Sequence, residues 1–193
     1  MKPLAFAVLA ALLGATAPAA AQLSGGFDGY AFVEAVKKSD GDKALQLLAK
    51  HPPGLVNARS ADGETALTVA ISRSDEKWTA FLINRGADPN LAGKGGDTPL
   101  IAAARVGFES AAEWLIAAGA KVDQANRRGE TPLIIAVQQR QPAIVALLLG
   151  RGANPDKADI AAGYSARDYA KRDTRARDIL RLIESKSPAA PAK

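Results

Sequence analysis

Apolar blocks recur along the chain at a fixed interval, and each begins with a hydroxyl residue. Three of them read Thr65-Ala66-Leu67-Thr68-Val69-Ala70, Thr98-Pro99-Leu100-Ile101-Ala102-Ala103 and Thr131-Pro132-Leu133-Ile134-Ile135-Ala136, with a spacing of 33 residues. A fourth, weaker copy begins at Ser165, 34 residues after the third. A Gly-Ala pair recurs in phase at Gly86, Gly119 and Gly152. Two marks that share one period indicate a repeat array.

Each block predicts a short helix that begins at its threonine. The hydroxyl caps the free amides of the first turn, and a proline there lacks only a donor that the helix does not use. In the third unit the break Arg105-Val106-Gly107 precedes a second apolar stretch, Glu109 to Ala117, so the unit is helix, turn, helix. The recurring glycines follow the second helix, where a left-handed cap favours a residue without Cβ. The pairs Asp62-Gly63, Gly95-Gly96 and Arg128-Gly129 predict the tight turns of β-hairpin fingers.

This pattern resembles the ankyrin repeat over roughly Phe27 to Glu184. The resemblance implies an all-α repeat solenoid of helix-turn-helix units with β-hairpin fingers, and about five repeats including two caps. We place these repeats at 27–56, 57–89, 90–122, 123–155 and 156–186. The histidine that the family usually has after Thr-Pro-Leu is replaced by Thr68, Ile101, Ile134 and Asp168. We therefore expect the hydrogen bonds that this histidine makes between loops to be missing.

Both ends of the array have the composition of caps. Tyr30 to Leu48 carries apolar residues where a repeat has its paired helices, but it lacks the Thr-Pro start. The loop His51-Pro52-Pro53-Gly54 is about two residues longer than its counterparts. Ser165 to Glu184 places Arg and Asp on faces that internal repeats keep apolar, as a terminal unit must to stay soluble. Residues 187–193 predict a disordered tail.

Residues 1–21 have the three regions of a secretory signal peptide. Lys2 precedes an apolar run from Leu4 to Leu13, and the small residues Ala19-Ala20-Ala21 follow. The run is about ten residues long, whereas a spanning helix needs ~20, so we favour cleavage over an uncleaved anchor. We expect a cut between Ala21 and Gln22, a mature domain over 22–186 without a transmembrane segment, and an exported bacterial protein. The expected location is the periplasm, with secretion as the alternative.

Composition excludes several kinds of catalytic site. The 193 residues contain no cysteine and one histidine, His51, which excludes thiol catalysis and zinc sites with several His or Cys ligands. His51 is interpreted as a surface loop residue. The run Gly93-Lys94-Gly95-Gly96-Asp97 lacks the spacing of a P-loop, and Ser39-Asp40-Gly41-Asp42 lacks the later ligands of a calcium loop. We therefore expect no enzyme activity, no metal and no cofactor.

The charge is unevenly distributed along the chain. Residues 22–166 hold 16 basic and 16 acidic side chains, whereas residues 167–193 hold 8 basic and 4 acidic ones. A nucleic-acid reader would carry a basic face on its folded body, so we expect no nucleic-acid partner. The basic end, Arg167 to Lys186, leaves one alternative function open, which is binding to an anionic polymer or a membrane surface.

The side chains that differ between repeats predict the binding surface. On the ankyrin resemblance, finger tips and first helices line one concave strip that binds a protein partner, here held by a monomer. The strip comprises Asp62, Glu64, Ser72, Arg73, Lys94, Asp97, Arg105, Arg127, Arg128, Glu130, Gln138 and Gln139. The alternative is that these are only solvated polar residues. Arg127 and Arg128 are the best single candidates, because arginine is enriched in interface hot spots and binds carboxylates bidentately. Trp78 and Trp114 are predicted to pack in the core, with a binding aromatic as the alternative.

Overall fold

The computed structural model describes residues 19–50 and 53–186, which form ten α-helices and two 3₁₀ segments. The helices are α1 (Ala19–Lys37), α2 (Gly41–Lys50), α3 (Ala66–Ser72), α4 (Glu76–Asn84), α5 (Pro99–Val106), α6 (Glu109–Ala117), α7 (Pro132–Gln138), α8 (Pro142–Gly150), α9 (Ala166–Arg172) and α10 (Arg177–Lys186). The 3₁₀ segments are Pro53–Asn57 and Lys94–Gly96. Predictions about most of the signal peptide, about His51 and about the tail fall outside these residues, and the expected cleavage point lies in the first turn of α1.

The ten helices form five consecutive pairs that stack in chain order. The first helices of the pairs contact their neighbours in the series α1, α3, α5, α7 and α9, and the second helices do so in the series α4, α6, α8 and α10. This arrangement confirms the predicted all-α repeat solenoid.

The predicted helix starts and stops are confirmed. At each start a hydroxyl accepts a hydrogen bond of 3.1–3.2 Å from the amide three residues later, at Thr65, Thr98, Thr131 and Ser165. At the ends, the glycines after α4, α6 and α8 have φ of +81°, +93° and +84°, at Gly86, Gly119 and Gly152. A side chain with Cβ is strained in that region, which explains the recurring glycine.

The core lies between the two layers of helices and is built largely from aliphatic side chains. Leu100, Ile101, Leu133 and Ile134 are fully buried, and buried alanines such as Ala103 and Ala111 lie between them. Small residues allow close approach of neighbouring helices, and the leucines then fill the space between repeats.

Both tryptophans are partly buried. Trp78 packs against the edge of the core and meets the Phe81 ring edge to face at 5.3 Å between centroids. Trp114 meets the ring of Phe108, which itself borders the core, at 6.4 Å. Neither tryptophan forms the centre of the core.

The position of the missing histidine is used in two other ways. Thr68 and Asp168 complete capping boxes with Thr65 and Ser165, because each side chain also accepts the backbone N–H of the capping residue. Ile101 and Ile134 are instead fully buried.

Four fingers connect the repeats, at residues 60–64, 93–97, 126–130 and 159–164. Each is a tight turn closed by a backbone hydrogen bond of 2.7–3.0 Å between its first and last residues. The structure shows isolated antiparallel bridges at Arg59–Thr65 and Ala158–Ser165, and the described residues contain no β-sheet. The closing bond spans one residue more in the fourth finger than in the others, so the extra residue before Ser165 lies in this turn.

Candidate functional site

The fingers and the first helices form one face of the array, which we call the finger face. Between the first two fingers, α3 and α5 lies a central groove of about 250 Å³. Five residues of the predicted strip line it, namely Glu64, Ser72, Lys94, Asp97 and Arg105, together with Thr68, Gly93 and Ala102. The 33-residue period brings these positions together, because equivalent residues of stacked repeats are neighbours in space.

The carboxylate at one end of this groove is paired with a lysine from the first repeat. Lys37 Nζ lies 2.8 Å from Glu64 Oε2, 3.3 Å from Glu34 Oε1 and 3.5 Å from Asp62 Oδ2. The hydrogen bond to Glu64 is the main reason that the Lys37 pKa is raised above its ordinary value, and it outweighs the opposing effect of burial. Sequence reasoning missed Lys37, since it lies at the end of α1 and outside the repeating motif.

Asp97 is the centre of a polar network that crosses two fingers. Its Oδ2 accepts a hydrogen bond of 2.6 Å from Arg105, and its Oδ1 accepts one of 2.8 Å from Asn126 Nδ2. Asn126 Nδ2 also donates to Glu130 Oε2 at 2.8 Å. Asn126 and Glu130 are both buried, so this network joins the second finger to the third.

The adjacent arginines of the third finger have different environments. Arg128 donates to Glu130 Oε2 through Nε at 3.0 Å and through Nη2 at 2.7 Å. The bond to Glu130 raises the Arg128 pKa. Arg127 is exposed and forms no ion pair with any residue of the described ranges. Both arginines are exposed, but Arg128 pairs with a buried carboxylate and Arg127 does not.

Arg73 holds two repeats together. Its guanidinium donates to the backbone oxygens of Val36 at 3.3 Å and Lys37 at 2.7 Å, and to Ser39 Oγ at 2.6 Å. These bonds tie the end of α3 to the end of α1. Arg73 belongs to the predicted strip, but its guanidinium is occupied by these bonds between α3 and the end of α1.

The far end of the finger face contains a tyrosine–aspartate pair. The Tyr169 hydroxyl donates to Asp159 Oδ2 at 2.6 Å, and this bond together with burial raises the Tyr169 pKa to about 12. Burial acts to raise the Asp159 pKa, but the bond from Tyr169 and backbone amides outweighs it and the pKa is lowered. The predicted Gln138 side chain bonds the same hydroxyl, whereas Gln139 is exposed.

The loops that lead into the fingers carry a second periodic feature that sequence reasoning missed. The side-chain oxygens of Asn57, Asn90 and Asp123 accept the backbone N–H of the residue 31 positions later, at 2.8, 2.8 and 3.1 Å. The amide nitrogens of Asn57 and Asn90 donate back to Gly86 and Gly119. We call these three residues the amide ladder. Their spacing of 33 was the signal that could have revealed them.

The basic C-terminal end is partly neutralised by neighbouring aspartates. Arg167 Nε lies 2.6 Å from Asp156 Oδ1, and this pair lowers the Asp156 pKa despite burial. Arg175 lies 3.8 Å from Asp173, and Arg181 lies 3.2 Å from Asp178.

Residues 19–50 and 53–186 include no group of three acidic or histidine side chains placed to bind a metal ion. Of the helices that the structure describes, none combines the length and the hydropathy needed to cross a bilayer.

Comparison with models of protein families gives a match over most of the chain. A family model described as ankyrin repeats (three copies) matches residues 32–126 and, in a second overlapping register, residues 79–159. No curated protein matches the chain at a significant level.

Proposed function

Because the chain belongs to the ankyrin-repeat family, whose repeats generally mediate protein–protein interaction, we propose that it binds a protein partner through its finger face. Repeats of this family are typically non-catalytic scaffolds, and we propose a purely binding role, exercised by a monomer. One observation carries the choice of face. The central groove contains Lys94 and Arg105, whose equivalents one repeat earlier are the uncharged Ala61 and Ser72, although the backbone that presents them is the same. Beside them lie Glu64 and Asp97, which are acidic in both repeats.

A groove of this kind offers specific recognition with little loss of conformational entropy when the partner binds. Its charged groups lie on turns and helix ends that hydrogen bonds already hold, so a partner would not have to order them. Charges of both signs in one groove favour a partner of complementary pattern and disfavour others.

A steric test separates this face from the opposite one. Ser72 is exposed in the central groove, and Glu113 is exposed on the outer helix α6. We expect that Ser72→Trp fills the groove and abolishes retention of the native partner on immobilised protein, whereas Glu113→Trp retains it. The measurement is mass spectrometry of proteins captured from the native extract by wild type and both variants. Loss of the same partner with Glu113→Trp alone would move the binding site to the outer helices.

We also propose that the protein is exported, with the periplasm as its location. The support is the order of Lys2, the apolar run Leu4 to Leu13 and the small residues before Gln22. N-terminal sequencing of the native protein is expected to find Gln22 or a residue within a few positions of it. An intact Met1 on the native protein would contradict export by cleavage.

A further inference from the structure

A second groove lies at the tips of the first three fingers, with a volume of about 470 Å³. Its lining includes Arg59, Asp62, Lys94, Arg127 and the glycine run of the second finger. We call this groove the fingertip cradle. Lys94 and Arg127 occupy the same position in successive repeats, 33 residues apart.

The third finger packs directly on the glycines of the second. A Cβ on Gly96 would lie 2.9 Å from both Cγ and N of Arg127, so only glycine permits this contact. The Arg127 N–H donates to Gly95 O at 3.3 Å. These contacts hold Arg127 beside the finger that carries Lys94.

The cradle has an excess of positive charge that the protein does not neutralise. Lys94 and Arg127 form no ion pair within the described part of the chain, and the Arg59 guanidinium bonds backbone oxygens of Gly63 and Ala92. Asp62 is the single carboxylate among the lining residues, and Lys37 contacts it at 3.5 Å. By contrast, the carboxylates of Glu64, Asp97 and Glu130 each have an ion-pair partner.

The second finger also presents free backbone donors. In the other fingers the first residue has a side-chain oxygen that accepts amides of its own turn, at Ser60, Asn126 and Asp159. The equivalent residue here is Gly93, which has no such oxygen. In the third finger Asn126 Oδ1 accepts the N–H of Arg128, which is the equivalent of Gly95. In the second finger the N–H groups of Lys94 and Gly95 have no acceptor among the described residues, and no atom lies within 4 Å of a Cβ built on Gly95.

We propose that the fingertip cradle binds an acidic segment of the partner protein, an inference that rests on the proposed protein-binding function. Two unpaired cations and two unpaired amides are the groups that bind carboxylates most strongly. Packed helices lie about 8–10 Å apart, and an extended chain rises about 3.3 Å per residue. Because alternate side chains of an extended chain face the same side, two acidic side chains two residues apart, about 7 Å, face Lys94 and Arg127 together.

An acidic peptide fits better than a polyanion such as a nucleic acid. The cradle offers two adjacent cations and is bordered by Asp62 and Glu64, so a long run of phosphates would also meet carboxylates. Polyanion binders neutralise many phosphates in a row, which this charge-balanced array does not do.

The probe is fluorescein-labelled hexaglutamate, with binding measured by fluorescence anisotropy. The test variant is Lys94→Gln with Arg127→Gln. The matched control is Lys121→Gln with Arg151→Gln, which removes two exposed cations that do not line the cradle and gives the same net charge. We expect the cradle variant to lose about tenfold or more in affinity and the control to lose less than about twofold. Labelled hexaglutamine is expected not to bind, and circular dichroism checks that both variants fold.

Three results would overturn the inference. They are equal loss in the two variants, no binding of hexaglutamate by wild type, and tighter Lys94- and Arg127-dependent binding of inorganic polyphosphate than of hexaglutamate. If hexaglutamate fails while Ser72→Trp still abolishes partner capture, only the acidic-segment inference is wrong. If Ser72→Trp leaves capture unchanged, the proposed finger-face function is wrong whatever the peptide does.

Discussion

The loop that connects successive repeats has two edges, the amide ladder and the finger tip, which meet the neighbouring repeat by different chemistry. At the amide ladder, Asn57, Asn90 and Asp123 accept the same backbone bond in three successive repeats. At the finger tips, the equivalent position is Ala61, Lys94, Arg127 and Ile160 in turn, and Ile160 is 80% exposed. A side chain that must accept a fixed backbone amide keeps its carbonyl-type oxygen from repeat to repeat, whereas a largely exposed finger-tip side chain makes no such bond and is free to differ. The difference separates the scaffold from the surface available for recognition.

The buried first residue of each finger differs from repeat to repeat, although the turn that it begins keeps its geometry. The turn is capped by a hydroxyl at Ser60, by an amide at Asn126 and by a carboxylate at Asp159, with no side-chain cap at Gly93. All four turns nevertheless close by the same backbone bond. The turn therefore forms with different side chains at its first position, and the choice of that side chain affects which backbone amides of the turn are left for a ligand.

The largest expected effect comes from the core on which both edges depend. Leu100→Ala should cost about 2–5 kcal/mol, because Leu100 is fully buried in α5 and stacking couples each repeat to its neighbours. Leu45→Ala is the matched control, since Leu45 is 45% exposed on α2. Urea unfolding followed by circular dichroism measures both. Coincident midpoints for wild type and Leu100→Ala would show that this leucine does not hold the repeats together.

A smaller effect tests the amide ladder directly. Asn90→Ala removes the bond to Gly119 O at 3.0 Å and the bond from Lys121 N at 2.8 Å, and should cost about 1–3 kcal/mol. Asn84→Ala, at an exposed asparagine that ends α4, is the control.

The same unfolding experiment compares the two edges. Arg127→Ala should change stability by no more than about 0.5 kcal/mol, because exposed side chains without such bonds contribute little. A cost for Arg127→Ala equal to that for Asn90→Ala would remove the distinction between scaffold edge and recognition edge.

The smallest expected effect is a change of folding stability with pH that arises from Tyr169 on the finger face. Because the Tyr169 pKa is raised to about 12, the folded state favours the protonated phenol. This contribution to stability is complete below about pH 10, the ordinary tyrosine pKa, and is lost as the pH rises toward about 12. Between about pH 10 and about pH 12, the urea midpoint of Tyr169→Phe should therefore fall less than the urea midpoint of wild type.

Tyr164→Phe is the matched control for the pH experiment. The Tyr164 ring meets Tyr169 at 5.6 Å, but its hydroxyl has no hydrogen bond within the described ranges. We expect Tyr164→Phe to follow the alkaline profile of wild type. Identical profiles for the two phenylalanine variants would show that the bond to Asp159 does not stabilise the fold.

The sequence alone determined the repeat unit and the residues that begin the first helix and end the second helix of the internal repeats. Thr98 caps its helix through an amide three residues away, and Gly119 adopts φ of +93° at the end of the next one. Both features depend on groups that are close in the chain, which is why spacing and residue type reveal them. The period also placed Glu64, Lys94 and Arg105 near one another, since it specifies which residues of stacked repeats are equivalent.

Only the tertiary structure decided which charges remain available. Arg127 and Arg128 are adjacent in the chain, but Arg128 turns to the buried Glu130 while Arg127 is held over Gly96. Lys37 reaches Glu64 from a different repeat. The contacts of Arg127 and Lys37 depend on distances between stacked units, and the pairing of Arg128 depends on the three-dimensional shape of its own turn. Residue spacing carries neither kind of information. Local preference therefore explains the scaffold, and packing between repeats explains the recognition surface.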